Sequence, residues 1–259
     1  MQRFTQLFSE KSSKVLNIYT TAGYPELNST EEVVLRLVGA GADIIELGMP
    51  YSDPLADGTT IQQSSQIALA NGMTLETLFA QAKTIREQSS VPVVLMGYFN
   101  QMLQYGEEKF LAAAQDSGID ALIIPDLPMD IYEKDYQSMF ESRDIGIAFL
   151  VTPETSDERI RQADRLSNAF LYIVSQSKVT GGSNDLSSDQ LSYFERLGSM
   201  NLQTPRLIGF GIHDAATFQR ACAYGHGAII GSAFIRHLGA NGVKEAGSFV
   251  EAVLDENNA

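Results

Sequence analysis

Gly39-Ala40-Gly41-Ala42-Asp43-Ile44-Ile45-Glu46-Leu47-Gly48 is the stretch that decides the fold. Its glycines end a helix and its apolar run starts a strand at once, the tight joint of a chain in which helices and strands alternate. The same joint recurs at Ser117-Gly118-Ile119-Asp120. Working outward, short apolar or β-branched runs predict strands at 16–20, 43–48, 92–97, 121–125, 146–151, 170–175, 206–210 and 228–230. Apolar residues at helical spacing fill the gaps, at 29–39, 75–88, 107–117, 131–141, 156–166, 188–197 and 214–223, with a last helix at 243–254. Strand followed by helix, repeated eight times, predicts an α/β chain of the TIM type: a single (β/α)8 barrel over residues 1–259. The length agrees, since such a barrel typically takes about 250 residues.

Composition narrows the range of partners. The formal net charge is −14, so a nucleic-acid backbone or an anionic membrane surface meets repulsion over most of the protein. No apolar run approaches the roughly 20 residues that a membrane helix needs. The lone Cys222 has no internal disulfide partner and sits in a helical stretch, where it reads as a small buried residue. Residues 1–14 carry neither an apolar core segment nor a small-residue cleavage site, and the expected location is the cytoplasm. An anionic ligand remains compatible with this charge, because backbone N–H groups at a helix N-terminus hold phosphate without basic side chains.

Two strand-to-helix connections, 49–58 and 176–187, exceed the ordinary 2 to 6 residues. In a barrel these loops surround the active site. Glu46 lies just before the first of them, and period-two alternation puts it on the face of Ile44 and Gly48. A Glu in such an apolar strand has its pKa raised toward neutrality and suits general acid/base work; it equally suits a structural network at the barrel mouth. Pro50-Tyr51-Ser52-Asp53-Pro54-Leu55-Ala56-Asp57-Gly58 follows, with Gly58 permitting the turn into a helix. Either acid of this loop suits a substrate contact, and Asp53 before Pro54 also suits an Asx turn. Ile208-Gly209-Phe210-Gly211-Ile212 and Ile230-Gly231-Ser232-Ala233-Phe234 end the last two strands, where this fold recurrently holds phosphate. Gly181 and Gly182 are candidates for further N–H donors. His213, His226 and His237 show no ligand-pair spacing, so no metal is expected. Lys178 falls in a polar loop, which does not favour a Schiff base.

The stretch Ile45-Glu46-Leu47-Gly48-Met49-Pro50-Tyr51-Ser52-Asp53-Pro54-Leu55-Ala56-Asp57-Gly58 resembles the signature of the tryptophan synthase α chain family. Thr21-Ala22-Gly23-Tyr24-Pro25, Pro125-Asp126-Leu127-Pro128, Ser177-Lys178-Val179-Thr180-Gly181 and the two glycine motifs are similar to that family in order along nearly the whole chain. The resemblance implies retro-aldol cleavage of indole-3-glycerol phosphate to indole and glyceraldehyde 3-phosphate. It also implies an α2β2 tetramer in which indole passes to a β chain; no cofactor is expected in this chain, and pyridoxal phosphate is expected in the partner. Carried over by motif, Glu46 is the acid/base and Asp57 accepts the indole N–H. Tyr172 places substrate and Glu46, while Gly181, Gly211, Gly231 and Ser232 hold the phosphate. Tyr24 stands where the family commonly has Asp, and Ser175-Gln176-Ser177-Lys178 where Arg and Gly are usual. These departures fall in or beside loops that the family uses for closure and signalling. Two other readings compete: a phosphosugar isomerase or epimerase, whose cavity would be polar where an indole slot is apolar, and a non-catalytic barrel that activates a partner.

Overall fold

The computed structural model describes residues 2–54, 57–175, 187–209 and 211–255. Its strands are β1 (Val15–Thr21), β2 (Ile44–Gly48), β3 (Val93–Met96), β4 (Ala121–Ile123), β5 (Gly146–Ile147), β6 (Leu150–Val151), β7 (Leu171–Val174), β8 (Arg206–Gly209) and β9 (Gly227–Ile230). All pair in parallel in one sheet, in the order β5-β4-β3-β2-β1-β9-β8-β7-β6. The two ends of that order, β5 and β6, are consecutive pieces of the single strand expected at 146–151. The first piece pairs with β4 and the second with β7, and between them Ala148 N–H donates to Leu122 O while Tyr172 N–H donates to Phe149 O, both at 3.0 Å. One short run of chain thus changes neighbours midway and joins the sheet's two edges, so nine strand segments do the work of eight.

Alternation sorts the side chains into two layers. Val15, Ile44, Val94, Ala121, Ile123, Phe170, Leu207 and Ile229 point inward and form the barrel's own core. Leu16, Ile18, Ile45, Leu47, Leu122, Ile173 and Ile208 point outward, into the larger core beneath the helices. The inner core includes Phe4, from the helix Gln2–Glu10, with its ring 6.0 Å from that of Phe170. This helix plugs the N-terminal end of the barrel, and burying Phe4 there contributes about 2–3 kcal/mol. Asp120 fastens the same end: it is buried and accepts from Arg3 Nη1 at 2.7 Å, Arg86 Nη2 at 2.8 Å and Val93 N–H at 2.9 Å.

Several local features depart from the expected elements. The helix expected at 131–141 is a turn of α-helix at Met129–Ile131, a π-helical turn at Tyr132–Tyr136 and a further α-helix at Gln137–Glu141. The last helix begins with a 3-10 turn at Val243–Glu245 before Ala246–Leu254. Helices also occur at Gln2–Glu10 and Phe99–Tyr105, where none was expected. Ser29 does not cap its helix by its side chain; the hydroxyl donates to Glu26 O instead. Thr74, Ser156, Ser187 and Asp214 do cap theirs.

Candidate active site

Glu46 comes from β2 and turns inward, on the face of Ile44 as alternation requires. It is only 1% exposed. Burial pushes its carboxyl group up to about 8; a hydrogen bond from Asn17 Nδ2 to Oε2, 3.2 Å long, pulls the other way, and the charge of Asp57 adds to the rise. At pH 7 the acid form is therefore favoured over the carboxylate. Asp57 closes the loop after β2. It is half-buried, raised by desolvation, and lowered in part by Tyr98 Oη, which donates to Oδ2 at 3.0 Å.

The described part of the Asp57 loop is tied to the loop after β3. Tyr51 stacks on Tyr98 with centroids 5.2 Å apart, Asn100 Nδ2 donates to Tyr51 Oη, and Gln101 Nε2 donates to Pro50 O. Asp53 accepts from Ser52 Oγ and is exposed. Of the two loop acids, Asp57 lines the cavity beside Glu46 and Asp53 does not.

That cavity has a volume of about 280 Å³. Ile61, Met96, Pro125, Leu150, Ile212 and Ile229 make an apolar wall, and Tyr19 and Tyr172 frame it. Desolvation raises both phenols far above their ordinary value, so they act as neutral hydroxyls. Each ring rests where a neighbouring strand has no side chain. A Cβ on Gly48 would lie 2.1 Å from Tyr19 Oη, and one on Gly209 would lie 2.5 Å from Tyr172 Cε1.

Gly211, Gly231 and Ser232 line the same cavity. Gly231 precedes the helix Ser232–Asn241, whose first-turn N–H groups have no partner within the helix and favour an anion. The Ser232 hydroxyl adds a donor. His213 also lines the cavity while remaining exposed at the rim, and Arg236 reaches the same region one turn into the helix. Among the expected site residues, Glu46, Asp57, Tyr172, Gly211, Gly231 and Ser232 thus come together; Gly181, with Gly182, Gln176 and Lys178, lies outside the described residues. Tyr24 is half-buried, and its hydroxyl rests against Gly239 of the helix Ser232–Asn241. Cys222 is half-buried and its thiol is pushed up to about 11 by desolvation, consistent with a packing role.

Sequence reasoning missed Asn17, Tyr19 and Tyr98. Asn17 carried the same signal as Glu46, a polar residue inside an apolar strand. A larger groove of about 700 Å³ lies away from Glu46 and Asp57, and three of its charged residues are engaged in ion pairs, Arg165 with Glu133 at 2.6 Å and Arg159 with Asp130 at 3.5 Å.

A barrel plugged at one end, with two carboxylates of raised pKa, an apolar slot and a helix N-terminus at the other, has the make-up of a small-molecule enzyme and suits acid–base chemistry on a partly apolar ligand with an anionic group. The profile of the family described as tryptophan synthase alpha chain matches residues 4–257. The tryptophan synthase alpha chain of Flavobacterium psychrophilum is 51% identical over 98% of this chain and 100% of its own length. That of Christiangramia forsetii is 50% identical over 98% of each. Among solved structures, the aminoacrylate-bound tryptophan synthase of M. tuberculosis superposes with a TM-score of 0.85 at 26% identity, covering 97% of both chains. The tryptophan synthase complex of Pyrococcus furiosus gives 0.85 at 33% identity, covering 94% of this chain and 99% of the other. The chain belongs to the tryptophan synthase alpha chain family, carbon–carbon lyases that cleave indole-3-glycerol phosphate in tryptophan biosynthesis.

Proposed function

We propose that Glu46 and Asp57 carry this cleavage. The buried acid of Glu46 delivers its proton to indole C3, and positive charge develops on the ring nitrogen. Asp57 accepts the indole N–H and stabilises that charge, an electrostatic effect that is strong in a site closed to water. The Glu46 carboxylate then takes the proton of the glycerol hydroxyl beside the bond to be cut. The hydroxyl oxygen becomes a carbonyl, the electron pair of the C–C bond returns to the ring, and the acid form of Glu46 is restored. Indole and glyceraldehyde 3-phosphate result, with no net proton change.

Tyr172 orients the substrate against Glu46. Gly211, Gly231, Ser232 and Gly181 hold the phosphate, and the apolar wall takes the indole. That wall favours this reading over a phosphosugar isomerase, whose substrate is polar throughout.

The observation that carries the proposal is Glu46 itself: a carboxyl group almost wholly out of water, pushed up to about 8, on the wall of a cavity that also receives a helix N-terminus. Proton shuttling near neutral pH needs such a group. The partner is a β chain carrying pyridoxal phosphate, in a cytoplasmic α2β2 tetramer. The departures at Tyr24, Gln176 and Lys178 bear on signalling to it.

The test is indole release from indole-3-glycerol phosphate by the purified chain, alone and with the β chain. Glu46→Gln is expected to lose at least about a hundredfold in rate while remaining folded. Release at the parental rate would overturn the assignment.

A further inference from the structure

β1 is buried along its whole length, yet its third residue is an amide. Asn17 is fully buried and stands level with Ile44 on β2 and Ile229 on β9, in the inward-facing layer beneath Tyr19. Burying an amide in such a layer is unfavourable unless its polar atoms are paired. Nδ2 has one partner, Glu46 Oε2 at 3.2 Å. Oδ1 has none.

Leaving that acceptor unpaired makes chemical sense beside a group that changes protonation state. A carboxylate needs a donor, and a carboxylic acid needs an acceptor for its O–H. A side-chain amide offers both from nearly the same place, since a half-turn about its last bond exchanges N and O. Asn17 does not line the cavity, so it meets the reaction only through Glu46.

We infer that Asn17 is the positioning residue of the acid/base group: its amide donates to Glu46 as carboxylate and, turned over, accepts from Glu46 as acid, holding it in one place through the proton cycle. The inference rests on the reading of Glu46 given above. The polar groups around Glu46 are Asn17 and Tyr19 from β1, Asp57 from the loop after β2 and Tyr172 from β7, with Tyr98 beyond Asp57; β3 presents Val94. Asn17 alone among them opposes the rise of the Glu46 pKa.

Asn17→Leu keeps the branched outline and heavy-atom count while removing both hydrogen-bonding roles; Asn17→Asp keeps the polarity and adds a like charge. With indole-3-glycerol phosphate as substrate, both variants are expected to lose at least about tenfold in kcat with KM within about twofold, and to move the alkaline limb of the pH–kcat profile upward by about one pH unit. On a Glu46→Gln background, Asn17→Leu is expected to change the residual rate by less than about twofold. If Asn17→Leu does not fold, Asn17→Asp and its pH profile carry the test. Variants with parental kcat and an unmoved limb, alongside an inactive Glu46→Gln, overturn the positioning role and leave the acid/base assignment standing. A fully active Glu46→Gln overturns both.

Discussion

Replacing Glu46 with Gln exchanges a buried acid for a neutral isostere and should stabilise the fold most on the alkaline side of neutrality. In the folded chain the carboxyl group is raised from 4.5 to about 8, chiefly by desolvation. The native state therefore keeps a proton that the unfolded chain releases between those two values. Stability from this source is complete below pH 4.5 and is lost as pH rises through about 8. At about 1.4 kcal/mol per pH unit, the full gap corresponds to roughly 5 kcal/mol. Between about pH 5 and pH 8, the part expressed is roughly 3–4 kcal/mol. The amide variant carries no such proton, and Asp57 is common to both proteins. Urea unfolding of parent and variant at about pH 5 and pH 8 reads the difference: near-equal stabilities at the lower pH, and a variant more stable by several kcal/mol at the higher. Parallel stabilities at the two pH values would refute the claim that burial holds Glu46 in its acid form.

Gly209→Ala places a methyl group against the Tyr172 ring and should cost about 1–3 kcal/mol while raising KM as the ring is driven into the cavity; chemical denaturation and steady-state kinetics check both. Ser232→Ala removes a hydroxyl from the helix start, and KM should rise roughly tenfold with kcat within about twofold, measured by indole release. Asp120→Ala leaves the Arg86 guanidinium without its carboxylate at the plugged end and should cost about 3–5 kcal/mol in denaturant, with kcat of the folded variant unchanged.

What the sequence made legible was what depends on short-range pattern. Strand runs such as 121–125 and 228–230 announced themselves by continuous apolar residues, and period two placed Glu46 on the face of Ile44 from β2 alone. Features that depend on a distant partner stayed hidden. The break within 146–151 is set by which neighbour receives each hydrogen bond, not by its own residues. The helix Gln2–Glu10 escaped because only Phe4 is buried, and Phe99–Tyr105 because only Met102 is. Thr59–Ala70 buries Ser64 and Ser65 beside Ile61 and Ala68, so its inner face has no clear apolar stripe from which to set its bounds. In the site, Glu46 was readable as a carboxylate inside an apolar strand, while the loop residues alone did not separate Asp57 from Asp53 and only the family motif did. Tyr98 was not readable, because its bond to Asp57 spans 41 residues.

The two tyrosines that frame the cavity each occupy space vacated on another strand, Tyr19 over Gly48 and Tyr172 over Gly209. Ring and gap are therefore heritable only as a set. A methyl group arriving alone at either glycine meets the ring, and a smaller side chain arriving alone at either tyrosine opens a void in the wall. Laboratory evolution toward a ligand of different outline should accordingly advance by paired substitutions across these strands, with each single step alone less fit than its starting point.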